Sequence, residues 1–275
     1  MPTDLSTRES KPMQGALAGR GVLVTRPAHQ AEGLCALIEA AGGRAWRLPV
    51  LAIQPARDAT HVRESLHRLG DYDIAIFISA NAVHHTLAAL TPQTWPAAVR
   101  IAVVGAATAR ALRAQGLSVA ICPDSAFNSE ALLALPELQQ VQGQRILILR
   151  GEGGREHLRD TLQARGAQVD YLDVYRRVQA DTDPTALIAQ WRLGQIHAVT
   201  VNSNESLQML LSIIGTLGAE LLRNTTLVVA SERTRELACS LGLAAHLVVA
   251  TDATDAAMVS ALERHFSAGK SGDMD

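Results

Sequence analysis

A phenol, six hydroxyl or amide side chains and two arginines carry the chemistry open to this 275-residue chain. Tyr175, beside a cleft, can donate a proton to a departing hydroxyl; the other reading is an aromatic packed at a domain junction with its O–H in water. Ser79, Thr108, Ser203, Ser231 and Thr234 lie at or near helix starts, where a small hydroxyl either caps the helix or donates to an anion. Asn81 shares the turn of Ser79. Arg26 and Arg150 end equivalent strands, and each either pairs bidentately with ligand carboxylates or sits in an ion pair with a nearby Asp or Glu. Gly151 opens the loop Arg150–Gly151–Glu152–Gly153–Gly154–Arg155–Glu156, which allows close backbone approach to an anion. That loop lacks the final Gly of G-x-G-x-x-G and a P-loop lysine, which disfavours a nucleotide.

Other chemistries are excluded by what the chain spends elsewhere. Its only lysines are Lys11 and Lys270, in the expected disordered leader (1–19) and tail (268–275), so pyridoxal-phosphate, Schiff-base and Walker-A chemistry have no lysine to use. Cys35, Cys122 and Cys239 are far apart, without metal-ligand spacing, and read as reduced cytoplasmic thiols. Of the histidines only His84 and His85 adjoin; helix neighbours do not share a face, so both read as surface and no metal or other cofactor is expected. A net charge of −2 gives no basic field for nucleic acid. The N-terminus lacks a signal peptide's apolar stretch, and no apolar run is expected to reach membrane-span length.

The elements that must position these residues are written twice. Val22–Arg26 with its following helix recurs at Ile146–Arg150, and Ile74–Val83 recurs at Ala198–Leu207, in both cases 124 residues on. Ile101–Gly116 recurs from Thr226, with Thr108 and Thr234 126 residues apart. Each unit is an apolar β-rich run, a small-residue turn and an amphipathic helix. Repeated strand–helix–strand units give parallel strands with right-handed crossovers, so the expected fold is α/β: two similar doubly wound parallel-sheet domains. Ligands bind such sheets at the carboxyl ends of their strands, which is where these turns fall. The stretch from Pro123 to Gln144 reads as a junction, and strands near Leu48–Gln54 and Val169–Arg177 as a bridge that could send the first strand–helix unit to the C-terminal half. Tyr175 breaks the repeat, because its counterpart is Leu51.

VLVTRP at Val22, FISANAV at Phe77, AVVGAATARAL at Ala102, ILRGEGGREHLRDTLQARGAQV at Ile148, Tyr175–Arg176, VTVNSNESL at Val199 and VASERTRELACSLGL at Val229 stand in order. In that order the chain resembles the uroporphyrinogen-III synthase family from Gly21 to about Phe266. The resemblance implies two α/β domains joined by a two-stranded linker, one formed by 20–53 plus 178–267 and the other by 54–177. It implies hydroxymethylbilane as substrate, bound in an interdomain cleft by helix-start N–H and hydroxyl groups and closed through an azafulvenium cation and a spiro intermediate. Carried over by position, Tyr175 is the candidate acid and Ser79, Thr108 and Ser203 the first side-chain contacts, followed by Arg26, Asn81, Arg150, Gly151, Ser231 and Thr234. Hand-over from the preceding pathway enzyme, a monomer, and no nucleic-acid or membrane partner complete the expectation. Ile78, Asn202 and Ser231–Glu232–Arg233 depart from the family's usual turns, and Glu232 is placed outward. The rival is a non-catalytic two-domain receptor for an anionic metabolite.

Overall fold

Four strands are unbroken apolar or β-branched runs, GVLV, IAIF, AVTV and TLVV, buried along their whole length. Only a parallel sheet covered by helices on both faces accommodates such runs. The computed structural model describes residues 15–125, 128–154, 156–243 and 246–268. Lys11, Lys270, Arg155, the first fourteen residues of the expected leader and nearly all of the expected tail lie outside the described residues.

The elements in order are β1 (Gly21–Val24), α1 (Glu32–Ala40), β2 (Arg44–Arg47), β3 (Leu51–Pro55), α2 (Ala59–His67), β4 (Ile74–Phe77), α3 (Ala80–Leu90), β5 (Arg100–Val103) and α4 (Ala106–Arg113). There follow α5 (Ser129–Ala134), α6 (Pro136–Gln139), β6 (Arg145–Gly151), α7 (His157–Ala164), β7 (Gln168–Gln179), α8 (Thr185–Arg192) and β8 (Ala198–Val201). The last elements are α9 (Asn204–Arg223), β9 (Thr226–Val229), α10 (Glu232–Ser240), β10 (Leu247–Val249) and α11 (Asp255–Ala268).

Two compact units result: one takes the chain through Ala52 and again from Gln179, the other Ile53–Val178. Both crossings fall inside strands, β3 and β7. The first unit's sheet has the order β10-β9-β8-β1-β2, with every pair parallel. The N-terminal strand is thus an interior strand, between β2 and β8, in a sheet completed by the C-terminal third of the chain. Two buried threonines tie it there: Thr25 Oγ1 donates to the Thr200 carbonyl at 2.7 Å, and Thr200 Oγ1 to the Leu23 carbonyl at 3.1 Å. Val22 and Val24 face Leu34, Ile38, Met258 and Leu262. The turn at residues 15–19, expected to be disordered, is instead anchored by Leu17, which is fully buried in this core and whose N–H donates to Ala41 O at 3.0 Å.

The second unit's sheet has the order β3-β7-β6-β4-β5. Strand alternation sends Ala75, Phe77, Leu147 and Leu149 to one face under α2, α3 and α4, and Ile74, Ile76, Ile146 and Ile148 to the other. That second face corrects the reading of Pro123–Gln144 as a junction. The segment folds into α5 and α6, whose Leu132, Leu133 and Leu138 are buried against β4, β6 and α7. A polar composition concealed a helical pattern of leucines.

Helix α9 also differs from expectation, being long and apolar enough to cross a membrane by length and composition. Its backbone breaks at Gly215 (φ 61°, ψ −165°), and one face, carrying Leu207, Leu210, Ile214 and Leu222, is buried within the unit.

Candidate active site

Tyr175 stands where β7 leaves regular register with β6. Pairing is even from Arg145↔Gln168 to Arg150↔Asp173, then shifts so that Gly151 faces Tyr175, and Glu152 N–H donates to the Tyr175 carbonyl at 2.8 Å. This irregularity lays the phenol on the backbone at the carboxyl end of β6. A Cβ on Gly151 would lie 2.6 Å from Cε2 and Cζ of the ring and 3.0 Å from its oxygen, so only glycine leaves the space. The side chain is 3% exposed, and its hydroxyl is 3.1 Å from Ser79 Oγ. His85 stacks on the ring at 5.7 Å between centroids and 26° between planes. The surface reading holds for His84, which is exposed, and is corrected for His85, which is half-buried against Tyr175. No sequence spacing signals that stack, since it depends on which strand lies beneath α3.

The helix starts repeat their geometry closely. Ser79, Ser203 and Ser231 are N-caps of α3, α9 and α10, with φ/ψ of −160°/160°, −158°/163° and −160°/155°. Their oxygens accept from Ala82, Ser206 and Thr234 N–H at 3.2, 3.1 and 3.3 Å. The fourth start, of α4, has Gly105 at φ/ψ −162°/166° and no side-chain cap. Thr108 and Thr234 are the third residues of α4 and α10 and are buried, at 4% and 1% exposure. Thr234 Oγ1 lies 3.0 Å from Ser231 Oγ, and Ser203 Oγ 3.0 Å from Ser206 Oγ, so these hydroxyls serve their own helices first. Asn81 is the second residue of α3, half-buried. Glu232 pairs with Arg235, which keeps its carboxylate engaged on the helix surface.

Of the two readings for the arginines, the structure shows ion pairs. Arg26 is 2.6 Å from Asp255 and donates to Asn202 Oδ1 and the Ala253 carbonyl, clasping the turns after β1 and β8 to the start of α11. Arg150 donates to Asp173 at 2.8 Å and to Glu156 at 3.2 Å while lying 3.5 Å over the Tyr171 ring. Burial alone would lower its pKa, but those two carboxylates more than offset it and hold the guanidinium above the usual arginine range. A cavity of about 300 Å³ opens beside Arg150, between Ile78 and Val104 at the ends of β4 and β5 and the loop glycines Gly153 and Gly154. Tyr171, four residues before Tyr175 on β7, also lines it; burial raises its phenol, whose oxygen has no hydrogen-bond partner among the described residues. Sequence reading did not single out Tyr171. The Cys35 thiol is likewise pushed up by burial, which makes it a poor nucleophile.

The arrangement offers a phenol, hydroxyls and backbone N–H groups at strand ends, suited to proton donation and anion binding. Among the described residues no group of three or more His, Cys, Asp or Glu is placed to hold a metal ion. The family model described as "Uroporphyrinogen-III synthase HemD" matches residues 32–260. The uroporphyrinogen-III synthase of Escherichia coli (strain K12) is 36% identical over 245 residues, covering 88% of this chain and 99% of that protein. The Salmonella typhimurium synthase is 37% identical over 247 residues, with the same coverage. Among solved structures, a mutant uroporphyrinogen III synthase from Thermus thermophilus superposes with a TM-score of 0.59 at 20% identity, covering 90% of this chain and 99% of that one. The Helicobacter pylori enzyme gives 0.58 at 14% identity, covering 88% and 97%; both show the shared fold. The chain belongs to the uroporphyrinogen-III synthase family.

Proposed function

We propose that this chain closes hydroxymethylbilane, a linear tetrapyrrole, to uroporphyrinogen III with loss of water and inversion of the last pyrrole, and that Tyr175 is the general acid. The observation that carries the acid assignment is the phenol of Tyr175, held at a strand end with its hydroxyl 3.1 Å from Ser79 Oγ. Protonation of the hydroxymethyl oxygen breaks the C–O bond, releases water and leaves an azafulvenium cation. The substituted carbon of the last pyrrole attacks that cation to form a spiro centre. The spiro centre fragments on its other side and recloses at the free position, and the proton lost on rearomatisation balances the one the phenol gave.

The starts of α3, α4, α9 and α10 supply N–H groups and the positive end of each helix dipole for the substrate's carboxylates. In one unit Asn81, Thr108 and Gly151 stand by these starts or at the end of β6, and in the other Ser203, Ser231 and Thr234; Arg26 and Arg150 each hold a turn of their own unit in place. The scheme calls on no cofactor. We infer a cytoplasmic monomer that receives its unstable substrate from the enzyme producing it, with no nucleic-acid or membrane partner. That relatives 36% and 37% identical to this chain are named as synthases favours catalysis over a non-catalytic receptor for an anionic metabolite.

Hydroxymethylbilane consumption tests the reading. The protein should accelerate closure well beyond the spontaneous rate, and Tyr175→Phe should lower kcat about a hundredfold, the low end for loss of a general acid. Spontaneous-rate closure with folded protein refutes it.

A further inference from the structure

A phenol that gives up its proton becomes a phenolate, and a buried phenolate needs a hydrogen-bond donor and a nearby positive potential. Resting on the reading of Tyr175 as the acid, we propose that Ser79 is the positioning residue that stabilises the Tyr175 phenolate, using its hydroxyl together with the N-terminus of α3.

Three observations meet at one atom. First, Ser79 Oγ is 3.1 Å from the phenol oxygen, across 96 residues of sequence. Second, the same Oγ accepts the Ala82 N–H at 3.2 Å, which occupies one lone pair and leaves its own O–H free to turn toward the phenol. Third, Ser79 caps α3, an eleven-residue helix, so the phenol oxygen lies at the end of that helix where unpaired N–H groups carry partial positive charge. Gly151 and His85 fix the ring itself, the first by leaving room at Cε2 and Cζ and the second by stacking.

With Ser79 donating to the phenol oxygen, the Tyr175 proton points away from the serine and is free to pass to the departing hydroxyl. As the proton leaves, the Ser79 hydrogen bond shortens onto a charged acceptor and strengthens, a gain made in the transition state and not in the ground state. The equivalent cap, Ser203, has Ser206 Oγ as its neighbour in place of a phenol, so the duplicated turn has acquired this role in one unit only.

The test is a mutant cycle with a conservative rescue. Ser79→Ala should lower kcat about tenfold with little change in KM, and Ser79→Thr, which keeps the hydroxyl, should restore most of it. Added to Tyr175→Phe, Ser79→Ala should cost almost nothing further. An unchanged kcat in Ser79→Ala, or an equal loss of kcat with and without the phenol, overturns the proposal. A fully active Tyr175→Phe would instead fault the acid assignment on which the proposal rests.

Discussion

Gly151 and Tyr175 face each other across β6 and β7 so closely that a Cβ on the glycine would stand 2.6 Å from two carbons of the phenol ring. The glycine thus acts through the tyrosine. Gly151→Ala should displace the ring from Ser79 and lower kcat about tenfold, while KM changes less than about twofold, because the loss falls on the transition state. Steady-state kinetics beside a thermal melt check this; an unchanged kcat would mean that the ring position is not critical.

Arg150 is nearly buried between Asp173 and Glu156, both more than a third exposed. Arg150→Ala would leave two carboxylates without their shared cation at the edge of the loop. After allowance for solvent screening, a loss of about 2 kcal/mol in unfolding free energy is expected from urea titration. A KM rise with unchanged stability would instead indicate direct contact with substrate.

Thr200 locks the N-terminal strand onto β8, from the far end of the chain. Thr200→Val keeps the shape and removes the hydroxyl that donates to Leu23 O at 3.1 Å. The expected cost is about 1 kcal/mol. Hydrogen exchange should rise in β1 before it rises in β4 or β6, whereas uniform change across both units would contradict a local clasp.

Two histidines make the first unit sensitive to acid. Burial, and then the charge of Arg20, holds His197 below the usual histidine pKa; its Nδ1 accepts the Gly21 N–H at 2.9 Å, a bond that requires the neutral ring. His265, hydrogen-bonded to Thr226, is lowered by burial first and then by His246 and Arg20. Both groups bind protons more readily in the unfolded chain, so stability is retained above about pH 6.5 and declines as pH falls through that value. The urea midpoint should therefore drop between about pH 7.5 and about pH 5.5. His197→Gln should flatten that drop; equal midpoints at the two pH values would contradict the assignment.

What could be read from the sequence was local or periodic. Ser79 and Ser203, matched by offset alone, have cap dihedrals that agree within a few degrees, since a cap residue and an apolar run suffice to specify a strand–turn–helix. Thr108 and Thr234 likewise occupy the same helical position, although their burial could not be foreseen from the turn. Contacts set by strand order were hidden: the Ser79–Tyr175 pair, the His85 stack and the Arg26–Asp255 ion pair join residues whose neighbourhood exists only once the sheets are assembled. The leucines of α5 and α6 were obscured by polar flanks and by helices too short for periodicity to register.

The most direct measurement is the isomer composition of the porphyrinogen formed when purified protein meets freshly generated hydroxymethylbilane, without added metal or cofactor. The account predicts predominantly type III product from the parent and a rising share of type I as Tyr175→Phe slows the enzymatic route. Type I product at the spontaneous rate, from demonstrably folded protein, would contradict it.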